Sequence, residues 1–230
     1  FLFGYFFVPE SLAPENRRQI NYIKMIPGVS LVALRNYKGL LLLISAFFLA
    51  NLAGQALPST WSYYGIERYD WNPRQIGISL MVVGLLVAIV QGFLVGVLVK
   101  KFGKRKIIIY GFLLWTVGMF LFSFAKEPWM LYAFLIPYAL GGIAGPTVQG
   151  VISNQVSEKE QGILQGSITG LVSVTAILGQ LIFSPVFYYF IRPEGTIYFP
   201  GAPYALAALF LLAAFILAFT AIKRMNVEPE

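Results

Sequence analysis

The residues of this chain that are best suited to do chemistry are amides and hydroxyls inside long apolar runs. The chain has no cysteine and no histidine, which excludes disulfides, thiolate nucleophiles and histidine-based metal or acid–base sites. No Asp, Glu, Lys or Arg lies deep in these runs, so the sequence offers neither paired carboxylates nor a buried ion site. What remains is hydrogen bonding, and we predict no catalytic residue, no metal site and no enzyme.

An amide in an apolar environment is costly unless it has a partner or faces water. Each amide can therefore form an interhelical hydrogen bond, or line a water-filled cavity that holds the polar, uncharged part of a substrate. Asn51 and Gln55 are four residues apart, a spacing that places both on one face of a helix. The candidates for the cavity wall are Asn51, Gln55, Gln91, Gln149 and Gln165.

Six long apolar runs carry these amides. The chain is 58% hydrophobic and 12% charged, whereas a soluble domain has about 25% charged residues. Each run reaches about the 20 residues that a membrane-crossing helix needs. The sequence therefore predicts an all-α membrane protein of six transmembrane helices, within residues 39–66, 75–99, 107–125, 129–151, 161–191 and 200–222.

The loops between the runs alternate in charge. Thirteen of the 17 Lys and Arg residues fall on one side, and the positive-inside rule assigns that side to the cytoplasm. The net charge of +7 does not indicate nucleic acid, because the charges fall between apolar runs and form no continuous face. We predict the end of a preceding membrane helix (1–8), a cytoplasmic central linker (9–38), the six-helix domain (39–222) and a cytoplasmic tail (223–230) of a longer protein.

Aromatic residues are frequent on the opposite side of the membrane. Amphipathic rings favour the headgroup level, so those near the ends of the runs are predicted to be interfacial anchors. They include Trp61, Tyr63, Tyr64, Trp71, Trp129, Tyr188, Tyr189, Tyr198 and Tyr204.

Glycines recur at four-residue spacing in several runs. In lipid, small residues let helices approach closely, and a proline inside a run favours a kink. These residues are predicted to serve packing, or to form smooth faces along which helices slide during transport. The main candidates are Gly142, Pro146, Gly162, Gly166 and Gly170.

Several stretches resemble one family of transporters. Residues 96–106 (GVLVKKFGKRK) resemble the signature loop of the major facilitator superfamily, with Lys100 where an acidic residue is usual. Residues 141–166 are similar to the tenth and eleventh helices of tetracycline-resistance-type antiporters, and residues 51–61 and 77–80 to their seventh and eighth helices. The loop residues that match, and that would act in cytoplasmic gating, are Gly96, Lys100, Gly103, Lys104 and Arg105.

The resemblance implies the C-terminal half of a drug/proton antiporter of the inner membrane, which works by alternating access. The half would contain two inverted three-helix repeats, residues 39–125 and 129–222, and its partners would be the bilayer, the N-terminal half and a small-molecule substrate. No cofactor is implied. Residues 111–116, which match the part of the ninth helix that carries a coupling acid in several relatives, contain no acid, so proton coupling would rest on the other half.

Two alternatives remain open. A symporter for a polar nutrient shares the same architecture. A six-helix membrane scaffold or half-transporter that acts as a dimer would place the glycine faces of the second and fifth helices in a symmetric interface.

Overall fold

The computed structural model describes residues 39–156 and 161–225, and every regular element among them is a helix. The predictions for residues 1–38, for the turn at Lys159 and for residues 226–230 lie outside the described residues. The helices are α1 Leu40–Gly54, α2 Ala56–Tyr69, α3 Pro73–Ile89, α4 Val95–Phe102, α5 Lys104–Ser123, α6 Pro128–Gly141, α7 Ala144–Asn154, α8 Gln161–Ile191 and α9 Ala202–Met225, with a π-helical turn Val90–Leu94 between α3 and α4.

These helices form six spans that are long and apolar enough to cross a membrane, which confirms the predicted fold class. The shortest has 20 residues and the longest 31, so each covers about 30 Å or more at 1.5 Å per residue. The helices extend a few residues into the flanking charges, and span six reaches Met225, inside the segment predicted as a tail. The spans are one Leu40–Tyr69, two Pro73–Phe102, three Lys104–Ser123, four Pro128–Asn154, five Gln161–Ile191 and six Ala202–Met225.

The packing of the spans follows a two-fold pattern. Span six packs on span one, and span three packs on span four. Span five contacts span one as span two contacts span four, and spans three and six contact each other. Exchanging spans one, two and three for four, five and six leaves these contacts unchanged. Because each repeat has an odd number of spans, the two repeats run in opposite directions, in agreement with the predicted inverted repeats.

Spans one and four are both interrupted near their middle, at equivalent places in the two repeats. The break in span one lies at Gln55, and that in span four at residues 142–143. Each has a proline as the third residue of its second segment, Pro58 or Pro146, four positions after a glycine. A proline has no N–H for the carbonyl four residues earlier, and its ring crowds that carbonyl. Both interruptions therefore have the same local cause.

Span two begins at a capping box. The Asn72 side chain accepts a hydrogen bond from the Gln75 main-chain N–H at 3.0 Å, and the Asn72 N–H donates to the Gln75 side chain at 2.9 Å. Pro73 occupies the first helical position, where no N–H is needed. This span is the least buried of the six, and Ser79 and Val83 are the buried residues of α3.

The packing between spans one and six uses small residues at alternating spacings of three and four. Such spacing keeps one face of each helix toward the other, and small side chains bring the backbones close. The fully buried positions are Leu43, Ala46, Ala50 and Ala53 on span one and Ala207, Leu211, Ala214, Ala218 and Ala221 on span six.

The aromatic residues divide into two groups. Trp129, Tyr188 and Tyr198 are more than half exposed, as interfacial anchors require. Trp61 and Tyr64, in contrast, are 2% and 1% exposed, so the anchor prediction is wrong for them, as it is for the buried Trp71 and Tyr204. These buried rings pack with Phe122 in one cluster, mostly edge to face, at the end of the bundle where spans one and three end.

The glycines that hold the spans together are not those at regular four-residue spacing. A Cβ added at Gly118 on span three would lie 2.7 Å from the Cα of Tyr138 on span four, and one at Gly141 would collide with the backbone of Trp115. Gly162 and Gly166, by contrast, have no described atom of another element within 4 Å of such a Cβ. Their predicted packing role is not met within the described residues, because their faces point away from the other spans.

Candidate functional site

A cavity of about 560 Å³ lies between five of the six spans. This volume falls in the range of small-molecule sites, roughly 300–1,000 Å³. Its lining contains no Asp, Glu, Lys or Arg. It is formed by Phe47, Asn51, Val87, Gln91, Trp115, Tyr138, Ala139, Gly142, Gly145, Pro146, Gln149, Ile168, Thr169, Val172, Ser173 and Ala176.

Three of the five predicted amides line this cavity: Asn51 from span one, Gln91 from span two and Gln149 from span four. The Asn51 side-chain N–H donates to the main-chain carbonyl of Phe47 at 2.8 Å, within the same helix. Gln91 lies in the π-helical turn, a local widening that is frequent at functional sites. The structure therefore brings together amides that are almost 100 residues apart in sequence.

The fourth amide, Gln165, does not line the cavity but contacts Gln149, which does. Its Oε1 accepts a hydrogen bond from Nε2 of Gln149 at 3.1 Å. One turn away, the Ser153 hydroxyl donates to Oε1 of Gln161 at 2.8 Å, and Nε2 of Gln161 donates to the Ser153 carbonyl at 2.7 Å. Both interpretations of an amide in the membrane apply to Gln149, because it lines the cavity and also bonds spans four and five together.

Gln55 lies outside the cavity lining. Its side chain packs against Gly179 on span five, where a Cβ would collide with it. The helix that contains Asn51 ends at Gly54, so the expectation of one shared face, which assumes an unbroken helix, does not hold at Gln55.

Aromatic rings form the apolar part of the wall. Phe47, Trp115 and Tyr138 come from spans one, three and four, and the last two meet edge to face with ring centroids 6.2 Å apart. No pattern in the sequence distinguishes these rings from the others, because aromatic residues occur in all six spans.

Two hydroxyls on span five complete the polar part. Thr169 and Ser173 line the cavity, and the Ser173 hydroxyl donates to the Thr169 carbonyl at 3.0 Å. Gln165, Thr169 and Ser173 follow at four-residue spacing, so they lie on one side of the helix. That spacing is a sequence signal that could have identified this stripe.

The predicted gating loop is a one-residue turn at Gly103. Gly103 has φ 77° and ψ 152°, a left-handed backbone that glycine adopts without strain. Lys100 lies in the last turn of span two, which ends at Phe102, and Lys104 and Arg105 begin span three. Gly96, six residues before the end of span two, faces open space. A second cavity of about 320 Å³ is lined there by Lys101, Phe102, Gly103, Arg105, Lys106, Ile109 and Tyr110.

The other kink and packing candidates fall in three places. Gly142 and Pro146 lie at the break of span four and line the central cavity. Gly162 and Gly166 lie on the open face of span five. Gly170, on the same span, is half-buried. Among the described residues, no group of three or more acidic side chains could hold a metal ion.

A family model described as Major Facilitator Superfamily matches residues 25–229 of the chain. The chain is 36% identical over 193 residues to the class C tetracycline resistance protein of Escherichia coli, a match that covers 81% of this chain and 47% of that protein. It is 37% identical over 176 residues to the class E protein of the same organism, with 75% and 43% covered.

The match extends to an animal protein. The chain is 28% identical over 189 residues to the hippocampus abundant transcript 1 protein of Mus musculus, covering 80% of this chain and 38% of that protein. The chain thus spans less than half the length of these curated relatives.

Proposed function

Because the chain belongs to the Major Facilitator Superfamily, we propose that it is the C-terminal half of a secondary transporter that exports amphipathic small molecules by drug/proton antiport. The transporter would lie in the inner membrane, with the linker and the C-terminus in the cytoplasm. The observation that carries this proposal is the uncharged cavity between five spans, which combines aromatic rings with amides and hydroxyls.

The composition of the wall fits an amphipathic substrate. Rings and aliphatic side chains bind the apolar body of a ligand, and a few placed polar groups orient it. The lining has no charged side chain, so a permanently charged nutrient such as an organic anion would find no counter-ion on this wall. This favours export of an amphipathic molecule over symport of a polar nutrient.

The architecture supports alternating access. Transporters built from inverted repeats bind substrate near the middle of the membrane, where interrupted helices meet. Here the break of span four lies in the cavity wall, and span one carries the equivalent break. The two broken spans also contact each other, so both repeats meet at the cavity.

The open glycine faces support a partner beyond these spans. Gly77, Gly84, Gly92 and Gly96 on span two and Gly162 and Gly166 on span five face open space. An N-terminal half would cover faces of this kind and complete the cavity. The dimeric alternative draws on the same observation, because a second copy of the chain would cover them too.

Proton coupling would rest on groups outside this cavity wall. No lining residue is an acid or a base, so the wall cannot itself exchange a proton with the substrate near neutral pH. We propose that the other half supplies the coupling group.

Transport by the full-length protein in proteoliposomes tests this function. Tetracycline, taken from the names of the relatives, and ethidium, an amphipathic dye, are suitable probes. An imposed pH gradient should drive accumulation of at least one of them against its concentration gradient, and nigericin, which collapses the pH gradient, should abolish it. Probe movement that follows only its own gradient would refute antiport.

The same assay separates the alternatives. Transport by the 230-residue chain expressed without any further segment would favour the dimeric half-transporter. Accumulation of sugars or amino acids driven by an inward proton gradient, with no drug movement, would favour the symporter.

A further inference from the structure

The polar groups of the cavity differ in how free they are to turn. Gln91 has no hydrogen-bond partner among the described residues, so its amide can donate or accept. Asn51 and Ser173 are held in place by main-chain carbonyls. Their orientation determines what this wall offers to a ligand.

Asn51 directs its carbonyl oxygen away from the helix backbone. Its Nδ2 donates to the Phe47 carbonyl at 2.8 Å, and a main-chain carbonyl can only accept, so the amide cannot be turned over without losing this bond. Its Oδ1 accepts no hydrogen bond from any described residue. This oxygen is therefore an oriented acceptor in the cavity wall.

Ser173 is restricted in the same way. Its one hydroxyl proton is used on the Thr169 carbonyl at 3.0 Å, and only lone pairs remain. The two spans that carry Asn51 and Ser173 pack against each other. The fixed polar groups on this side of the cavity are thus oxygen acceptors.

The rings strengthen the same preference. The faces of Phe47, Trp115 and Tyr138 carry negative partial charge and attract cations. A carboxylate would meet no cation on this wall, and the side-chain N–H groups of Gln91 and Gln149 would replace only part of the hydration that it loses. An ammonium or hydroxyl group would find acceptors that are already oriented.

We propose that this wall selects ligands by their hydrogen-bond donors, with Asn51 Oδ1 and Ser173 Oγ as the accepting atoms. The ligands it takes are aromatic molecules that carry an ammonium or hydroxyl group. This inference rests on the proposed function in placing the ligand in the central cavity.

A series of naphthalenes of nearly equal size tests the preference. The probes are 2-(1-naphthyl)ethylammonium, 2-(1-naphthyl)ethanol, the methyl ether of that alcohol, and 1-naphthylacetate. Binding to the full-length protein in nanodiscs is measured by naphthalene fluorescence, with empty nanodiscs of the same lipid as the blank. The alcohol and the ether are both neutral, so surface charge does not affect their comparison.

The alcohol should bind about threefold to tenfold more tightly than the ether, the contribution of one hydrogen bond between neutral groups. The ammonium should bind more tightly than the acetate. Equal binding of alcohol and ether, or tighter binding of the acetate, would overturn the proposal.

An isosteric pair of variants locates the acceptor. Asn51→Val should abolish most of the preference for the alcohol. Asn51→Thr should keep part of it, because a threonine hydroxyl can donate to the carbonyl four residues earlier, as Thr60 and Thr147 do at 2.7 and 2.8 Å, and still accept. If Asn51→Val and Asn51→Thr lose the preference for the alcohol equally, Asn51 is not the accepting residue. If neither Asn51→Val nor Ser173→Ala loses this preference, neither residue recognises the ligand.

Failure here differs from failure of the proposed function. If the protein binds the series in the expected order but never accumulates a drug, the acceptor role of Asn51 and Ser173 is supported and the transport proposal is refuted. If the protein transports a drug but binds the alcohol and the ether equally, the transport proposal is supported and the acceptor role is refuted.

Discussion

Gln149 combines two tasks within one side chain. It lines the central cavity and donates to Gln165 on the neighbouring span at 3.1 Å. A glutamine that is bonded on one side keeps fewer rotamers, so its remaining polar atoms meet a ligand at a lower entropic cost. Gln165 is thus a positioning residue, which acts on the ligand through Gln149.

We expect Gln149→Leu to raise the KM for an exported drug about threefold to tenfold, the effect of one lost hydrogen bond, with little change in the amount of folded protein. Gln165→Leu should raise the KM less, and Gln165→Glu, which keeps an acceptor for Gln149, should restore most of the loss. Transport kinetics in proteoliposomes measure this, with abundance measured in parallel.

Gln180, which lies on span five with Gln165, provides a matched control. Its Oε1 accepts from Ser184 at 3.1 Å, and it lies outside the cavity lining. Gln180→Leu should leave the KM unchanged. If Gln149→Leu instead lowers abundance as much as export, the residue is structural.

At the scale of elements, the sequence predicts the six spans, and prolines within them predict kinks near the two interruptions. Span ends agree within about three residues, because apolar length alone determines which segments cross the membrane. Pro58 and Pro146 indicate these breaks, and each follows a glycine by four residues in equivalent spans. The shared face predicted for Asn51 and Gln55 assumes an unbroken helix, whereas the helix that carries Asn51 ends at Gly54.

The glycines show a second feature that cannot be predicted from the sequence. Spacing along one helix reveals where small residues lie, but not which span is opposite. Gly162 and Gly166 are regular and unpacked, whereas Gly118 and Gly141 are irregular and in close contact. Three of the five predicted amides line the cavity. The sequence does not predict the aromatic rings beside them, because only burial and tertiary contacts distinguish these rings from the other aromatic residues of the spans.

Tyr64 joins the C-terminal ends of spans one and three. Its hydroxyl lies 3.0 Å from the Phe122 carbonyl and 3.2 Å from the Ala125 carbonyl, which also accepts from the Tyr69 hydroxyl at 3.0 Å. Tyr64 thus helps to satisfy main-chain carbonyls at and just beyond the C-terminal end of span three. Tyr64→Phe keeps the ring packing and removes this donor.

We expect Tyr64→Phe to lower the free energy of unfolding by about 1–2 kcal/mol, measured as a lower Tm in detergent. Tyr63→Phe is the control, because Tyr63 is on the same span and is 62% exposed. Equal Tm values for the two variants would contradict a stabilising role of the Tyr64 hydroxyl.

At the scale of the whole molecule, the described residues form an incomplete enclosure. Five spans surround the cavity, while the glycine faces of spans two and five have nothing against them. A transporter that alternates between two openings needs walls that can separate, and a face without interlocking side chains suits such movement. We propose that a drug and water share this cavity, which a further half of the protein would complete.

Thiol labelling of a single cysteine at Ser173 tests that claim most directly. The chain has no cysteine of its own, and any elsewhere in the full-length protein would first be replaced by serine. Ser59→Cys is the control, because Ser59 is 4% exposed and its hydroxyl has no partner among the described residues.

We predict that a water-soluble methanethiosulfonate reagent labels Ser173→Cys readily, that an exported drug slows this labelling, and that Ser59→Cys stays unlabelled. A Ser173→Cys protein that resists the reagent, or that reacts at the same rate with and without drug, would contradict the placement of the substrate in this cavity.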